Sequence, residues 1–262
     1  MCYSHTNHTL NLVFALHFVK GYCVFFTLFD IISCMQPPIT PSTERPGLAT
    51  IRLTTDVVLL TIIDSQLRVM LIPRTAEPFT GSLVLPGGFV WDGETFRRSA
   101  ERLLSAKAGI SGMFLEQLAT FDALDRDPRG RVTSVAYLAL AAPSQLQPAA
   151  EVEFVPVSEL PALGFDHTEI IAVAVERLRS KLTYTNAAYS LLPEVFVFSD
   201  LQTVYEVAFG AAVDKRNFRK KYLSLGFVEP TGDLVRGGRH RPAQLFRFKQ
   251  RVPQALDSPW MG

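Results

Sequence analysis

The sequence predicts an α/β (α+β) fold: an α/β/α sandwich followed by a small helix-turn-helix module with a β-hairpin. Between residues 51 and 182, short β-branched runs alternate with two long helical patterns, which is typical of helices packed against a mixed sheet. After residue 183 the pattern changes to two short capped helices and two short strands. We therefore expect domains at 51–182 and 183–251, with a flexible leader at 35–50 and a tail at 252–262.

The strands of the first domain are predicted from apolar, β-branched runs that end at turn residues. Asp64, Ser65 and Gln66 form the turn between the first two strands. A short apolar run, Leu83 to Leu85, then enters a Pro-Gly-Gly loop. The predicted strands lie at 55–63, 67–73, 83–85, 115–121, 132–142 and 153–156.

Two helices are predicted in the first domain. One spans Thr95 to Ala108, where Gly109 suits a left-handed C-cap. The other runs through Leu182 and is opened by the capping-box pattern that spans Asp166 to Glu169.

The second domain has its own start and stop signals. The pattern from Ser199 to Gln202 opens a helix to about Phe209, and Gly210 ends it. Asp214 caps a second helix, over 215–225. Two strands, at 227–229 and 243–248, flank a connection rich in Gly and Arg.

Residues 1–34 are a separate problem, because 10–34 is apolar for long enough to span a bilayer. We expect this part to be an upstream-start artefact with Met35 as the true start, since two charged residues interrupt the run and no Lys or Arg precedes it. The alternatives are a membrane segment and an extra packed element. All the cysteines lie here, at Cys2, Cys23 and Cys34. A body without cysteine is usual for a cytoplasmic protein.

The formal net charge of +1 conceals an asymmetry. Residues 181–251 carry 12 Lys and Arg against 6 Asp and Glu, so the remainder of the chain is acidic by about as much. A basic module joined to an acidic one indicates a polyanionic partner for the basic end.

One long motif follows the Pro-Gly-Gly loop. Its residues are Gly88, Glu94, Arg102, Leu104, Gly109 and Ile110. Their spacing resembles the signature of the Nudix family, G-x5-E-x7-R-E-U-x-E-E-x-G-U, where U is bulky and apolar. The resemblance covers residues 53 to about 182 and implies a Nudix-type α/β/α sandwich.

Three glutamates of that signature are replaced, by Leu103, Ala106 and Lys107. In the family these carboxylates hold the Mg²⁺ ions that activate water and polarise a pyrophosphate. Glu101 does not compensate, because it lies about 200° around the helix from position 103. The resemblance therefore implies a domain without catalytic residues or a bound metal, which binds its ligand and does not hydrolyse it. Glu94 remains, either at the ligand site or in a structural role between loop and helix.

The segment from Phe121 to Arg131 resembles one found in Nudix domains that handle ADP-ribose. Its arginines offer guanidinium groups to a diphosphate, and Phe121 suits either base stacking or the core. Without the resemblance, the segment is an exposed polar turn with solvated charges. The candidate ligand-binding residues are Gly87, Gly88, Glu94, Arg102, Phe121, Arg126, Arg129 and Arg131.

Residues 183–251 resemble the winged helix-turn-helix domain of the Nudix-related transcriptional regulators of the NrtR type. The main stretches that carry the resemblance are 191–193, 198–206, 214–221, 225–226 and 237–248. A basic second helix suits insertion into a DNA major groove, with Phe218, Tyr222 and Leu225 turned to the core. The candidate DNA-binding residues are Lys215, Arg216, Asn217, Arg219 and Lys220 in this helix, and Arg236, Arg239, His240 and Arg241 in the hairpin.

Together the resemblances imply a bacterial repressor of NAD-related or sugar-related genes, working as a homodimer on a palindromic operator. They imply ADP-ribose or a related nucleotide as effector, and no required cofactor. One alternative is an active Nudix pyrophosphohydrolase of ADP-ribose-like substrates. The other is an RNA- or protein-binding adaptor.

Overall fold

The computed structural model describes residues 18–19, 22–23, 50–109, 113–148, 150–235, 242–257 and 259–260. The chain separates into two units, Met1–Leu48 and Ala49–Gly262. In the first unit, strands β1 (Phe18–Val19) and β2 (Tyr22–Cys23) pair antiparallel. The other predictions for the 1–34 extension and the leader fall outside the described residues. Among the described helices, none is both long and apolar enough to cross a membrane.

A mixed sheet forms the centre of the second unit. Its order is β5-β4-β3-β8-β7, with β6 paired to β3 and β9 paired to β4. β3 and β8 run parallel and the other pairs are antiparallel. The strands are β3 (Arg52–Ile63), β4 (Gln66–Pro73), β5 (Leu83–Val84), β6 (Gly87–Phe89), β7 (Phe114–Phe121), β8 (Val132–Leu140) and β9 (Glu153–Pro156).

The side chains of β3 alternate between two buried faces. Val57 and Leu59 pack in the cluster that contains helix α1 (Phe96–Ala108). Val58 and Leu60 pack in the cluster that contains helix α2 (His167–Tyr184). Because successive strand residues point to opposite faces, one apolar run supplies both layers. The predicted α/β/α sandwich is confirmed.

The sequence pattern predicted the end of α1 correctly but not the capping of α2. Thr95 caps α1, its Oγ1 accepting the N–H of Arg98 at 3.2 Å, and Gly109 ends the helix at a φ of 65°. The predicted capping box of α2 is wrong: the Asp166 side chain makes no capping hydrogen bond. Its carboxylate is instead occupied by Arg126, as described below.

The C-terminal part is a winged helix. Its three strands are ordered β10-β12-β11. The carboxylate of Asp200 accepts the N–H of Val197, which starts the first helix one residue before Ser199. Asp214 caps the next helix as predicted, accepting the N–H of Asn217 at 2.7 Å. The elements are β10 (Val195–Val197), α3 (Phe198–Phe209), α4 (Lys215–Ser224), β11 (Val228–Val235) and β12 (Ala243–Phe248).

The predicted tail folds back on the winged helix. Trp260 is buried, with its ring 5.2 Å from the rings of both Tyr205 and Tyr222. Its indole N–H donates to the carbonyl of Leu182 at 3.0 Å. The residues that follow β12 therefore fasten the winged helix to the end of α2.

Candidate functional site

A pocket of about 640 Å³ opens beside β3, β6 and the first turn of α2. Four basic side chains line the pocket: Arg74, Lys107, Arg126 and Arg129. Of the predicted ligand-binding residues, it contains Gly87, Gly88, Arg126 and Arg129. Glu94, Arg102, Phe121 and Arg131 are not among its lining residues.

Arg126 lies at the floor of the pocket in a buried network of charges. Its Nε and Nη2 donate to the two carboxylate oxygens of Asp166 at 2.8 and 2.7 Å, and Nη2 also lies 3.4 Å from Oδ2 of Asp56. The hydroxyl of Ser134 donates to the same Asp56 oxygen at 2.6 Å. Only 4% of the Arg126 side chain is exposed. Two carboxylates therefore hold this guanidinium in place from within the protein.

His167, the first residue of α2, is part of the same network. The N–H of Leu85 donates to its Nδ1 at 2.9 Å, so the ring proton is on Nε2, which lies 3.7 Å from Oδ1 of Asp56. Burial lowers the pKa of His167, against the opposing charge of Asp56. The ring is therefore neutral near pH 7, and it ties α2 to the strand that enters the Pro-Gly-Gly loop.

The two loop glycines leave space that a side chain would fill. A Cβ at position 87 would come within 2.0 Å of Oδ1 of Asp56. At position 88 it would meet Leu103 of α1 at 3.4 Å. Only glycine at 87 lets the backbone approach the Asp56 carboxylate this closely.

Arg129 is positioned at the pocket by Asp127. Its Nε and Nη2 donate to the Asp127 carboxylate at 3.0 and 2.7 Å. The guanidinium carbon lies 5.7 and 5.6 Å from the ring centres of Phe89 and Phe165. Unlike Arg126, it is about one-third exposed. A bound anion can therefore reach it.

Sequence reasoning missed Arg74 and Phe165. Arg74 donates to the carbonyls of Pro78 and Glu77, and its guanidinium lies 4.9 Å from the centre of the Phe165 ring. Among the described residues, no carboxylate pairs with Arg74. Phe165 has a φ of 59°, an unusual value for a residue with a side chain, and its ring meets Phe79 edge-on at 4.8 Å. A basic residue just after a strand was the only sequence signal for this part of the pocket.

Glu94 and Arg102 form a bidentate pair at the start of α1. The distances from Nε and Nη2 of Arg102 to the Glu94 carboxylate are 2.7 and 2.8 Å. The hydrogen bond to Arg102 lowers the pKa of Glu94 to about 2. The guanidinium also stacks on Trp91, 3.8 Å from the ring centre. This arrangement joins the loop to the helix, which is the structural role the sequence left open for Glu94.

Position 121 and position 131 lie away from the pocket. Phe121 packs against the larger hydrophobic cluster, on the side of the sheet that carries α2. Arg131 donates to the carbonyl of Asp122 at 2.8 Å on the surface of the loop. Ligand contacts by these two residues, and by Glu94 and Arg102, have no support in the pocket geometry.

The residues of α1 do not fit a divalent metal. Leu103 is buried beneath Gly88, Ala106 is exposed, and Lys107 lies 3.3 Å from Oε1 of Glu151. Within the described ranges, no group of three or more His, Cys, Asp or Glu side chains is arranged to hold a metal ion. An ammonium group stands where the family signature has a carboxylate ligand, so the side chains of this helix do not support a catalytic step through a metal ion.

A second candidate site is the outer face of α4. Phe218 and Tyr222 are buried and Leu225 packs against the core, as predicted. The predicted DNA-contacting residues Lys215, Arg216, Asn217 and Lys220 are exposed. Arg219 is half-buried and lies 4.6 Å from the Phe198 ring centre.

Among the described residues, no ion pair involves a Lys or Arg of α4, in contrast to Arg126 and Arg129 of the pocket. The predicted hairpin residues Arg236, Arg239, His240 and Arg241 lie outside the described residues. The described ends of the hairpin, β11 and β12, bring the chain back beside α3.

Both halves of the chain match known domain families. Residues 53–174 match the NUDIX domain, and residues 188–248 match the NrtR DNA-binding winged helix domain. The two matches together span the sandwich and the winged helix described above.

Individual relatives extend this likeness. The ADPR responsive transcriptional repressor NtrR of Acinetobacter baylyi is 35% identical over 220 residues, covering 79% of this chain and 88% of the relative. Shewanella oneidensis NrtR, in a crystal structure complexed with a 27mer DNA, is 34% identical with a TM-score of 0.69, covering 75% of this chain and 93% of that chain. An ADP-ribose pyrophosphatase of Methanocaldococcus jannaschii is 36% identical over 113 residues, covering 42% of this chain and 67% of the relative.

The match to the pyrophosphatase covers less than half of this chain, whereas the matches to the two regulators each cover at least three quarters of it. Likeness over most of both chains, at this level of identity, shows that the protein belongs to the NrtR family of transcriptional regulators.

Proposed function

We propose that this protein is an ADP-ribose-responsive transcriptional repressor that binds double-stranded operator DNA. One observation carries the proposal: a single chain joins a Nudix pocket without metal-binding carboxylates on α1 to a winged helix whose described basic face is exposed and unpaired. The relative in Acinetobacter baylyi, which is named an ADPR responsive transcriptional repressor, supports it along most of its length.

DNA binding is assigned to α4. Four exposed residues lie in the first six positions of this helix, whose opposite face is fixed in the core by Phe218: Lys215, Arg216, Asn217 and Lys220. Cations at such positions contact phosphates, and Arg or Asn can read base edges in a major groove. A homodimer would present two such helices to a palindromic operator, one to each half-site. The hairpin arginines would add contacts along the flanking backbone.

Effector binding is assigned to the pocket beside β3. ADP-ribose or a related nucleotide has a diphosphate, which suits the cluster of Arg74, Arg126 and Arg129. Gly87 and Gly88 also line this pocket. The pocket volume of about 640 Å³ is in the range of nucleotide-sized ligands.

The same pocket is proposed to be catalytically inactive and to require no cofactor. The competing function, hydrolysis of ADP-ribose, is favoured by the likeness to the Methanocaldococcus jannaschii pyrophosphatase over 113 residues. Against it, Leu103, Ala106 and Lys107 occupy the positions of the metal ligands. A regulator of NAD-related or sugar-related genes with this chemistry would act in the cytoplasm.

The test is a fluorescence-anisotropy titration of the full chain on DNA from upstream of its own gene. We expect specific binding that ADP-ribose alters by about 5-fold to 150-fold, the usual range of coupling between two sites. A matched assay of pyrophosphate-bond cleavage with Mg²⁺ should show no turnover. Equal binding to all DNA sequences would contradict the proposal that the protein recognises a specific operator. Rapid hydrolysis of ADP-ribose would support the alternative function, an active pyrophosphohydrolase.

A further inference from the structure

Lys107 lies at the pocket, on the turn of α1 where the family signature places its metal ligands. In the signature this position carries a carboxylate that binds the metal, and here the ammonium side chain lines the same pocket as Arg126 and Arg129. Its Nζ lies 3.3 Å from Oε1 of Glu151, which also lines the pocket. The pair is accessible, with 36% of the Lys107 side chain and 49% of the Glu151 side chain exposed.

The loop that carries Glu151 is fixed against the end of α1. The N–H of Gln147 donates to the carbonyl of Ala108 at 3.0 Å. A Cβ on Gly109 would come within 2.7 Å of the Gln147 carbonyl oxygen, so only glycine permits this approach. The C-terminal turn of α1 and the loop before β9 therefore meet beside the pocket, which places Glu151 opposite Lys107.

An exposed ion pair of this kind is weak, because water screens the attraction and both side chains lose freedom. A diphosphate offers more negative charge than one carboxylate, and it would approach Lys107 together with the nearby guanidinium groups. The carboxylate of Glu151 can then turn to solvent.

We propose that Lys107 binds the diphosphate of the effector in place of the metal ion, so that effector binding requires no divalent cation. Glu151 is the group that Lys107 leaves when the effector binds. This inference rests on the proposed function, since it assumes that a nucleotide with a diphosphate occupies the pocket. The ammonium group supplies at this position the positive charge that a metal ion would supply, so the site is complete without Mg²⁺.

The experiment is isothermal titration calorimetry of the full chain with ADP-ribose, once in EDTA and once in Mg²⁺. We expect the same Kd within about twofold in both buffers. Lys107→Met should weaken binding at least about tenfold, and Lys107→Arg should retain most of it because the charge is kept. Glu151→Gln should bind at least as tightly as the unmodified protein, since the competing carboxylate charge is gone.

The matched control is Arg97→Met, which removes a cation from the same helix at a position paired with Glu101 and not lining the pocket. It should leave Kd unchanged. Circular dichroism should show the same thermal transition for Lys107→Met as for the parent.

The outcomes separate the two proposals. Binding that requires Mg²⁺, or a Lys107→Met variant that binds as well as the parent, would overturn the role of Lys107 and leave the sensor intact. If the unmodified protein bound no ADP-ribose in either buffer, the effector assignment would fail and this inference with it. Loss of operator binding alone would affect only the proposed DNA function.

Discussion

The basic side chains of the pocket and those of α4 are held in contrasting ways. Arg126 and Arg129 are each gripped by carboxylates from their own chain, whereas no described acid pairs with the cations of α4. Arg126 and Arg129 therefore contribute to the fold as well as to the pocket, and the helix cations are available to an external polyanion. An arginine can thus have a structural role in addition to a ligand-binding one, and the partner it already has decides whether it does.

The largest effect is expected from breaking the most tightly held cation. Arg126→Ala should lower the free energy of unfolding by about 3–5 kcal/mol, because it leaves the buried Asp56 carboxylate and the partly buried Asp166 carboxylate without their positively charged partner. Urea denaturation followed by fluorescence measures this. Arg131→Ala, at an exposed site nearby, is the control and should change stability by no more than about 0.5 kcal/mol. Equal effects of the two substitutions would mean that Arg126 is no more structural than a surface arginine.

Substitutions on α4 should weaken DNA binding and leave the stability of the fold unchanged. The double variant Lys215→Ala/Arg216→Ala should bind operator at least about 30-fold more weakly, because each of the two lost base or phosphate contacts costs about 1–3 kcal/mol. Its thermal transition should stay within about 2 °C of the parent, since neither side chain is buried. Arg98→Ala, which removes an exposed cation from α1, serves as the control in the same anisotropy assay. A double variant that unfolds early would show that these cations support the fold after all.

The smallest effect concerns pH. Burial lowers the pKa of His167 in the folded protein. Below pH 6.5, near the ordinary pKa of histidine, this side chain is therefore protonated in the unfolded chain more than in the folded protein. Stability should therefore fall as pH drops below about 6.5, by up to about 1.4 kcal/mol per pH unit. Urea titrations between pH 7.5 and pH 5 would measure the slope. His167→Gln should have a shallower slope, and an unchanged slope would mean that other groups cause it.

Much of the fold could be predicted because its signals are local. β9 and β12 begin and end at the predicted residues, and Gly109 and Asp214 act as helix caps as predicted. Each of these signals depends on residues within one or two turns of the chain. The division into two domains stays a prediction, since one hydrophobic cluster continues from the sandwich into the winged helix.

What the sequence did not predict depends on distant partners. Asp166 has the form of a helix cap, but Arg126, 40 residues earlier, takes its carboxylate. Arg74 belongs to no motif and reaches the pocket through its contact with Phe165. Trp260 lies in a segment that reads as a tail, yet it packs between the helices of the winged helix. In each case a tertiary contact overrides the local pattern.

The helix α2 has a consequence for the order of binding events. Its first residue, His167, lines the pocket, and near its other end Arg179 donates to the Ala208 carbonyl of α3 at 2.7 Å. One uninterrupted helix of 18 residues, about 27 Å long, thus runs from the pocket to the winged helix. If it couples them, thermodynamic reciprocity requires operator DNA to change the affinity for the effector by the same factor as the effector changes the affinity for DNA. The number of chromosomal sites would then help to set the metabolite concentration to which a cell responds.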